Sequence, residues 1–92
     1  MKTIDECYSI ISALNEEAHG LAWDTWIEAD RLDEEGDDGA EDMRDQASME
    51  QQEHFIGLFN DLDEETKQAC FEHRKIDENF RMDFDCWYGY TE

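Results

Sequence analysis

The feature that most constrains the fold is a series of apolar residues spaced three and four positions apart through the first third of the chain. The series begins at Ile4 and continues to Leu32. Such spacing places side chains on one face of an α-helix, because the helix completes a turn in about 3.6 residues. Residues 4–34 are therefore predicted to form either one long helix or two helices in tandem. Gly20 lies inside the series and is the position where we expect a bend or break, since an interior glycine weakens a helix.

Local signals predict where further helices begin and end. Thr3 and Glu6 fit a capping box, in which each side chain accepts from the other residue's backbone N–H. The two glycines and short carboxylates of residues 35–39 predict a turn. A helix with a largely polar first half is predicted from there to about Asn60. Asp63 is the predicted N-cap of the next helix.

The C-terminal third is predicted to contain a helix that reaches Phe80, followed by a different kind of segment. Residues 82–90 alternate between apolar and acidic side chains and then become aromatic. This pattern fits a short strand or an extended tail packed on the helices, and we prefer the tail. The predicted fold is all-α, a small bundle of three to four helices with an aromatic C-terminal tail. It forms a single acidic helical domain over residues 1–92.

Composition bears on whether such a chain folds. Its 27 acidic and 7 basic residues give a formal net charge of −20, and this imbalance is typical of disordered chains. The 3 Trp, 3 Tyr and 5 Phe instead favour a folded domain with a small aromatic core. A chain of this length has little apolar surface to bury, so dimerisation is an open possibility. The three scattered cysteines are predicted to be reduced thiols.

The charge and the hydropathy exclude several classes of function. A protein this negative is repelled by nucleic acid and by anionic membranes, so we expect it to bind neither directly. The apolar runs are only a few residues long, too short for a transmembrane segment or the core of a signal peptide. The reduced thiols predict a cytoplasmic location.

Metal-binding patterns are present only as fragments. Aligning Gly36 with the glycine of a calcium-binding EF-hand loop puts Arg31 at the first ligand position, and the alignment that begins at Asp61 has Thr66 in place of the glycine. A Glu-x-x-His pair ends at His19 and a Cys-x-x-His pair ends at His73, but neither has the second pair that di-iron or zinc sites need. No metal and no cofactor is predicted.

Catalytic motifs are also lacking in the sequence. It contains no glycine-rich phosphate loop, no Gly-x-Ser-x-Gly motif and no nucleophile beside a base. Carboxylates are numerous, but a general acid and base need burial that splits their pKa values. The protein is therefore predicted not to be an enzyme.

The acids are concentrated in one part of the chain. Residues 24–45 contain eleven of them, opposed by Arg31 and Arg44 alone. The ordinary role of an acidic segment is a solvated face that keeps the protein soluble. A charge this large works against compaction and exceeds what solubility requires, which favours a functional use for the negative field instead. The predicted partner-binding residues are the eleven acids of this segment: Asp24, Glu28, Asp30, Asp33, Glu34, Glu35, Asp37, Asp38, Glu41, Asp42 and Asp45.

Two aromatic groups are further candidates for contact with a partner. Trp23 and Trp26 lie three residues apart, and Trp87, Tyr88 and Tyr90 crowd the C-terminus. Core packing is the ordinary role of such residues. The alternative is that one group is exposed and anchors a partner or a dimer, because Trp and Tyr dominate binding hot spots.

In size, charge and aromatic content, the chain resembles the small acidic proteins of phages and mobile elements that mimic nucleic acid, such as anti-restriction and anti-CRISPR proteins. The resemblance spans the whole chain and lies in its character rather than in a motif. It implies a DNA-mimic inhibitor that blocks the positively charged nucleic-acid-binding site of a host defence complex. The implied partner is a basic nucleic-acid-binding protein or nuclease complex.

Two other functions fit the same residues. An antitoxin or immunity protein would use an acidic face to neutralise a basic nuclease toxin. A structural or assembly protein would instead dock through its aromatic residues, and its binding would not depend on the acids.

Overall fold

The structure is a computed structural model that describes residues 1–89. Within these residues the chain forms five α-helices and no strand, which confirms the all-α prediction and shows that the expected number of three to four helices was too low. The helices are α1 (Ile4–Leu21), α2 (Trp23–Glu34), α3 (Gly39–Asn60), α4 (Glu64–Ile76) and α5 (Glu78–Tyr88).

Residues 4–34 form two helices in tandem, and the break falls at Ala22 rather than at Gly20. Gly20 lies within α1, where its surroundings are open. Ala22 leaves the helical conformation, with φ −97° and ψ 9°, and is almost completely buried. Its N–H donates to the carbonyls of Ala18 and His19, while its own carbonyl accepts from the first turn of α2. The backbone groups at the bend are therefore satisfied without a side-chain cap.

The predicted helix starts at Thr3 and Asp63 are confirmed. The Thr3 side chain accepts from the N–H of Glu6, and the Glu6 carboxylate accepts from the N–H of Thr3, so both halves of the capping box form. The Asp63 carboxylate accepts from the N–H and the hydroxyl of Thr66. These hydrogen bonds lower the pKa of Asp63, so its cap is present at neutral pH and is lost as the pH falls through that lowered pKa.

The predicted aromatic tail is wrong, because residues 78–88 form helix α5. Asp77 caps this helix by accepting from the N–H of Phe80 at 2.8 Å. Phe80, Phe84 and Tyr88, four residues apart, stack along one face with interplanar angles of 12°. Gly89 ends the helix in the left-handed conformation at φ 74°. Phe80 therefore belongs to the separate helix α5 rather than to the end of α4. Tyr90 lies outside the described residues.

The core lies among α1, α4, α5 and the second half of α3. Phe55 and Phe59 of α3 meet the aromatic face of α5, with 5.4 Å between the ring centroids of Phe59 and Phe84. Cys7 of α1 and Cys70 of α4 are buried free thiols in the same cluster, and burial raises the pKa of each. This packing gives the aromatic content of the sequence its structural role.

An ion pair joins α4 to α5 beside this core. The Arg74 guanidinium donates to both carboxylate oxygens of Asp85, at 2.6 and 3.1 Å. The Arg74 side chain is 8% exposed and the Asp85 side chain 27%. A two-point pair in this setting fixes the orientation of the helices. One acid of the alternating C-terminal segment is thus part of the packed structure.

The molecule is elongated, with extents of 49 × 22 × 20 Å. Helix α2 packs mainly on the first half of α3, away from the aromatic core. We call this unit, residues 23–50, the acidic hairpin. It contains all eleven predicted partner-binding acids.

Candidate functional site

The acidic hairpin is held together by small side chains. Ala29 of α2 and Ala40 and Ala47 of α3 are buried at 0%, 5% and 0% exposure. Alanine has no side-chain freedom to lose and lets two helices approach closely. The buried alanines lie between the two helices, and most of the exposed residues of the hairpin are polar.

Hydrogen bonds at its base connect the hairpin to the core. The Trp26 indole N–H donates to Gln51 Oε1 at 3.0 Å, and Gln51 Nε2 donates to Asn15 Oδ1 of α1 at 3.0 Å. The Thr25 hydroxyl donates to Glu50, which lowers the pKa of that carboxyl. Three helices are therefore cross-linked where the hairpin begins. The acids lie on a fixed scaffold rather than on a loose arm.

The turn at the tip of the hairpin has a defined geometry. Gly36 adopts φ 71°, a left-handed conformation that side chains disfavour. The Gly36 N–H donates to the Asp33 carbonyl and the Asp37 N–H to the Leu32 carbonyl, which together form a Schellman motif. Asp37 Oδ1 then accepts from the Gly39 N–H at 2.7 Å, at the start of α3. The predicted turn is confirmed. The side-chain hydrogen bond to the start of α3 comes from Asp37, and the side chain of the N-cap residue Asp38 makes no capping hydrogen bond.

The eleven predicted partner-binding acids all lie at the surface of the hairpin. Ten are exposed and Glu28 is half-buried. Arg31 binds Glu28 and, at 2.9 Å, Glu35. The guanidinium holds the pKa of Glu28 below its usual range. Arg44 pairs with Asp33 at 3.0 Å and so connects the two helices.

These ion pairs neutralise little of the charge. Two arginines against eleven acids leave residues 24–45 with a formal net charge of −9. Eight of the acids are exposed and form no ion pair within the described residues, among them Asp30, Glu34, Asp38 and Asp42. Their carboxylates are free to meet a cationic surface.

The antiparallel arrangement raises the charge density beyond what the linear sequence provides. Residues 24–35 span about 17 Å as a helix, and with the turn the hairpin acids occupy a length of about 20 Å. Eleven carboxylates over that length amount to one per about 2 Å. Duplex DNA has one phosphate charge per about 1.7 Å of its axis. The hairpin is therefore similar to duplex DNA in charge per unit length.

The two tryptophans of α2 have different environments. Trp26 is half-buried and bound to Gln51, whereas Trp23 is 51% exposed. At the C-terminus, Trp87 and Tyr88 pack against the core, as the ordinary interpretation of that aromatic group expects. The exposure of Trp23 has no signal in the sequence, because it depends on where α3 crosses α2.

Within residues 1–89, no group of three or more His, Cys, Asp or Glu side chains is arranged to hold a metal ion. None of the helices found there combines the length and apolar character that a membrane crossing requires.

Salt is expected to stabilise the fold. Raising NaCl from about 0.01 M to about 0.15 M shortens the Debye length from about 30 Å to about 8 Å. This screening should raise the melting temperature by several degrees, measured by circular dichroism, because repulsion among the acids weakens more than the few ion pairs do. A hairpin amide variant with Asp30→Asn, Glu34→Gln, Asp38→Asn and Asp42→Asn should show a smaller rise. A melting temperature that does not change with salt would contradict this expectation.

Comparisons with known proteins identify no similar protein from which a function could be inferred. No protein-family model, no curated protein and no solved structure matches the chain.

Proposed function

We propose that the protein is a DNA-mimic inhibitor that blocks the positively charged nucleic-acid-binding site of a host defence complex of the restriction or CRISPR type. The supporting observation is the charge density of the acidic hairpin, about one carboxylate per 2 Å along a braced pair of helices. A basic groove built for phosphates attracts such a surface through the same electrostatic field. The protein acts by occupying the site rather than by catalysis, in the cytoplasm of a bacterial host.

The position of the charge also supports this proposal. The hairpin packs away from the aromatic core, so a groove can enclose its outer faces without disturbing the folded centre. Ten of its eleven acids are exposed. The −9 charge of residues 24–45 provides long-range attraction, which speeds association with a basic partner.

The second candidate is an antitoxin or immunity protein that neutralises a basic nuclease toxin. The same hairpin supports it, since a toxin's active site that binds nucleic acid is also cationic. A toxin gene beside the coding sequence would favour this candidate, and a phage early-gene setting would favour the inhibitor.

The test is competition by DNA. The protein is immobilised, incubated with a bacterial lysate and washed with duplex DNA at constant ionic strength. We expect DNA to release the bound nucleic-acid-binding proteins, and their retention to fall steeply with salt, because both effects arise from a shared cationic surface. The hairpin amide variant is the negative control for capture. Tight retention that ignores both DNA and salt would rule out mimicry and favour a structural or assembly role.

A further inference from the structure

Two large apolar side chains are exposed on helix α2 of the acidic hairpin, and Met49 is exposed on α3. Trp23 is 51% exposed and Ile27 is 47% exposed. They lie four residues apart, so they are neighbours on one face of α2. Exposed apolar residues that adjoin one another indicate an interaction surface more strongly than scattered ones do.

The Trp23 ring is held in place by its neighbours. His19 of α1 lies 5.5 Å from it, edge to face, and is itself stacked on Trp26 at 5.8 Å. Trp26 is fixed in turn by its hydrogen bond to Gln51. A ring that is already positioned loses less side-chain freedom when a partner binds.

Acids adjoin this apolar pair, which restricts what can cover it. Asp24 and Asp30 each lie three residues from Ile27 on the same helix. The carboxylate of Glu28, in contrast, is held by Arg31. A second copy of the chain would bring two segments of charge −9 together, so self-association here is opposed by repulsion. Charge complementarity favours a cationic occupant with apolar surface of its own.

We propose that Trp23 and Ile27 receive an arginine side chain of the basic partner. The planar guanidinium lies over the Trp23 indole, and neighbouring carboxylates accept its N–H groups. The methylene stem of the arginine packs on Ile27. Arginine is favoured over lysine because the guanidinium is planar and weakly hydrated. This inference rests on the proposed function and extends it.

The arrangement reproduces a second property of nucleic acids. Proteins that bind unpaired bases stack them on aromatic side chains or on arginine guanidinium planes. An exposed indole among carboxylates offers such a protein a flat ring beside negative charge. Trp23 takes the place of a base, and the acids take the place of phosphates.

The experiment uses two defined probes, fluorescently labelled nona-arginine and nona-lysine, at the same ionic strength. Fluorescence anisotropy should show that the wild type binds nona-arginine about tenfold more tightly than nona-lysine. Trp23→Ala should weaken nona-arginine binding by about tenfold and nona-lysine binding by less than about twofold. Trp23→Phe should keep part of the preference. Ile76→Ala, at another exposed apolar residue, is the matched control and should keep all of it.

The outcomes separate this inference from the proposed function. Equal binding of the two peptides by the wild type, or equal losses in Trp23→Ala, would overturn the arginine site. The hairpin amide variant should lose affinity for both peptides alike, and full retention of both would count against the proposed function instead. A wild-type dimer in sedimentation that Trp23→Ala dissociates would assign the face to a second copy and overturn the inference. Circular dichroism of each variant confirms that the fold is intact.

Discussion

The hairpin amide variant is expected to bind a basic nucleic-acid-binding partner on the order of 100-fold more weakly than the wild type at about 0.05 M salt. Its four substitutions remove charge from exposed acids that form no ion pair within residues 1–89. Asn and Gln keep the size and polarity of the side chains, so the fold should persist. The loss should fall mainly on the association rate, since long-range attraction steers the encounter. Surface plasmon resonance at several salt concentrations measures both the affinity and the rate.

A second amide variant is the matched control for this prediction. It carries Glu17→Gln, Glu53→Gln, Asp61→Asn and Glu78→Gln, all at exposed positions outside the eleven predicted acids. Both variants have a formal net charge of −16, four less negative than the −20 of the wild type. The control should stay within several-fold of the wild type and keep most of its salt dependence. Equal losses in the two variants would mean that total charge governs binding and that the hairpin is not the site.

Phe59→Ala is expected to have the largest effect on stability. Phe59 is 1% exposed, and its ring centroid lies within 5.7 Å of those of Phe71, Phe84 and Tyr88. Removing a buried phenyl ring costs about 3–5 kcal/mol through lost burial and the cavity that remains. Domains are typically stable by only about 5–15 kcal/mol, so the variant should be partly unfolded at 37 °C. Urea denaturation followed by far-UV circular dichroism measures the change.

The control for Phe59→Ala is the exposed apolar variant Ile76→Ala. Ile76 is 79% exposed, so its truncation should change the free energy of unfolding by no more than about 0.5 kcal/mol. A loss below about 1 kcal/mol in Phe59→Ala would show that the rings are loosely packed. The acidic hairpin would then be attached to a less ordered core than the structure describes.

Local rules predicted much of the secondary structure. The capping box at Thr3, the N-cap at Asp63 and the turn around Gly36 depend on neighbouring residues, and each forms as expected. The C-terminal helix was missed because apolar and acidic residues alternate there, which fits an extended segment. The spacing of Phe80, Phe84 and Tyr88 was the available helical signal, with Asp77 and Gly89 as its caps.

The break between α1 and α2 could not be located from propensity. Gly20 is the weaker helix former, yet the chain bends at Ala22. The bend lets α1 pack on the second half of α3 while α2 packs on the first half. Buried Ala18 and Ala22 allow close contact at that point. The position of the break is therefore set by packing between distant segments and not by local helix propensity.

The sequence by itself determined the amount of charge, its concentration in residues 24–45 and the helices that carry it, since these depend on composition and local spacing. Only the tertiary structure decided the arrangement of that charge. Alanine packing folds α2 back on α3, so eleven carboxylates share about 20 Å rather than the roughly 33 Å of a single helix. The same crossing buries part of Trp26 and leaves Trp23 at the surface. Exposure and charge density depend on contacts between distant residues, which linear spacing does not specify.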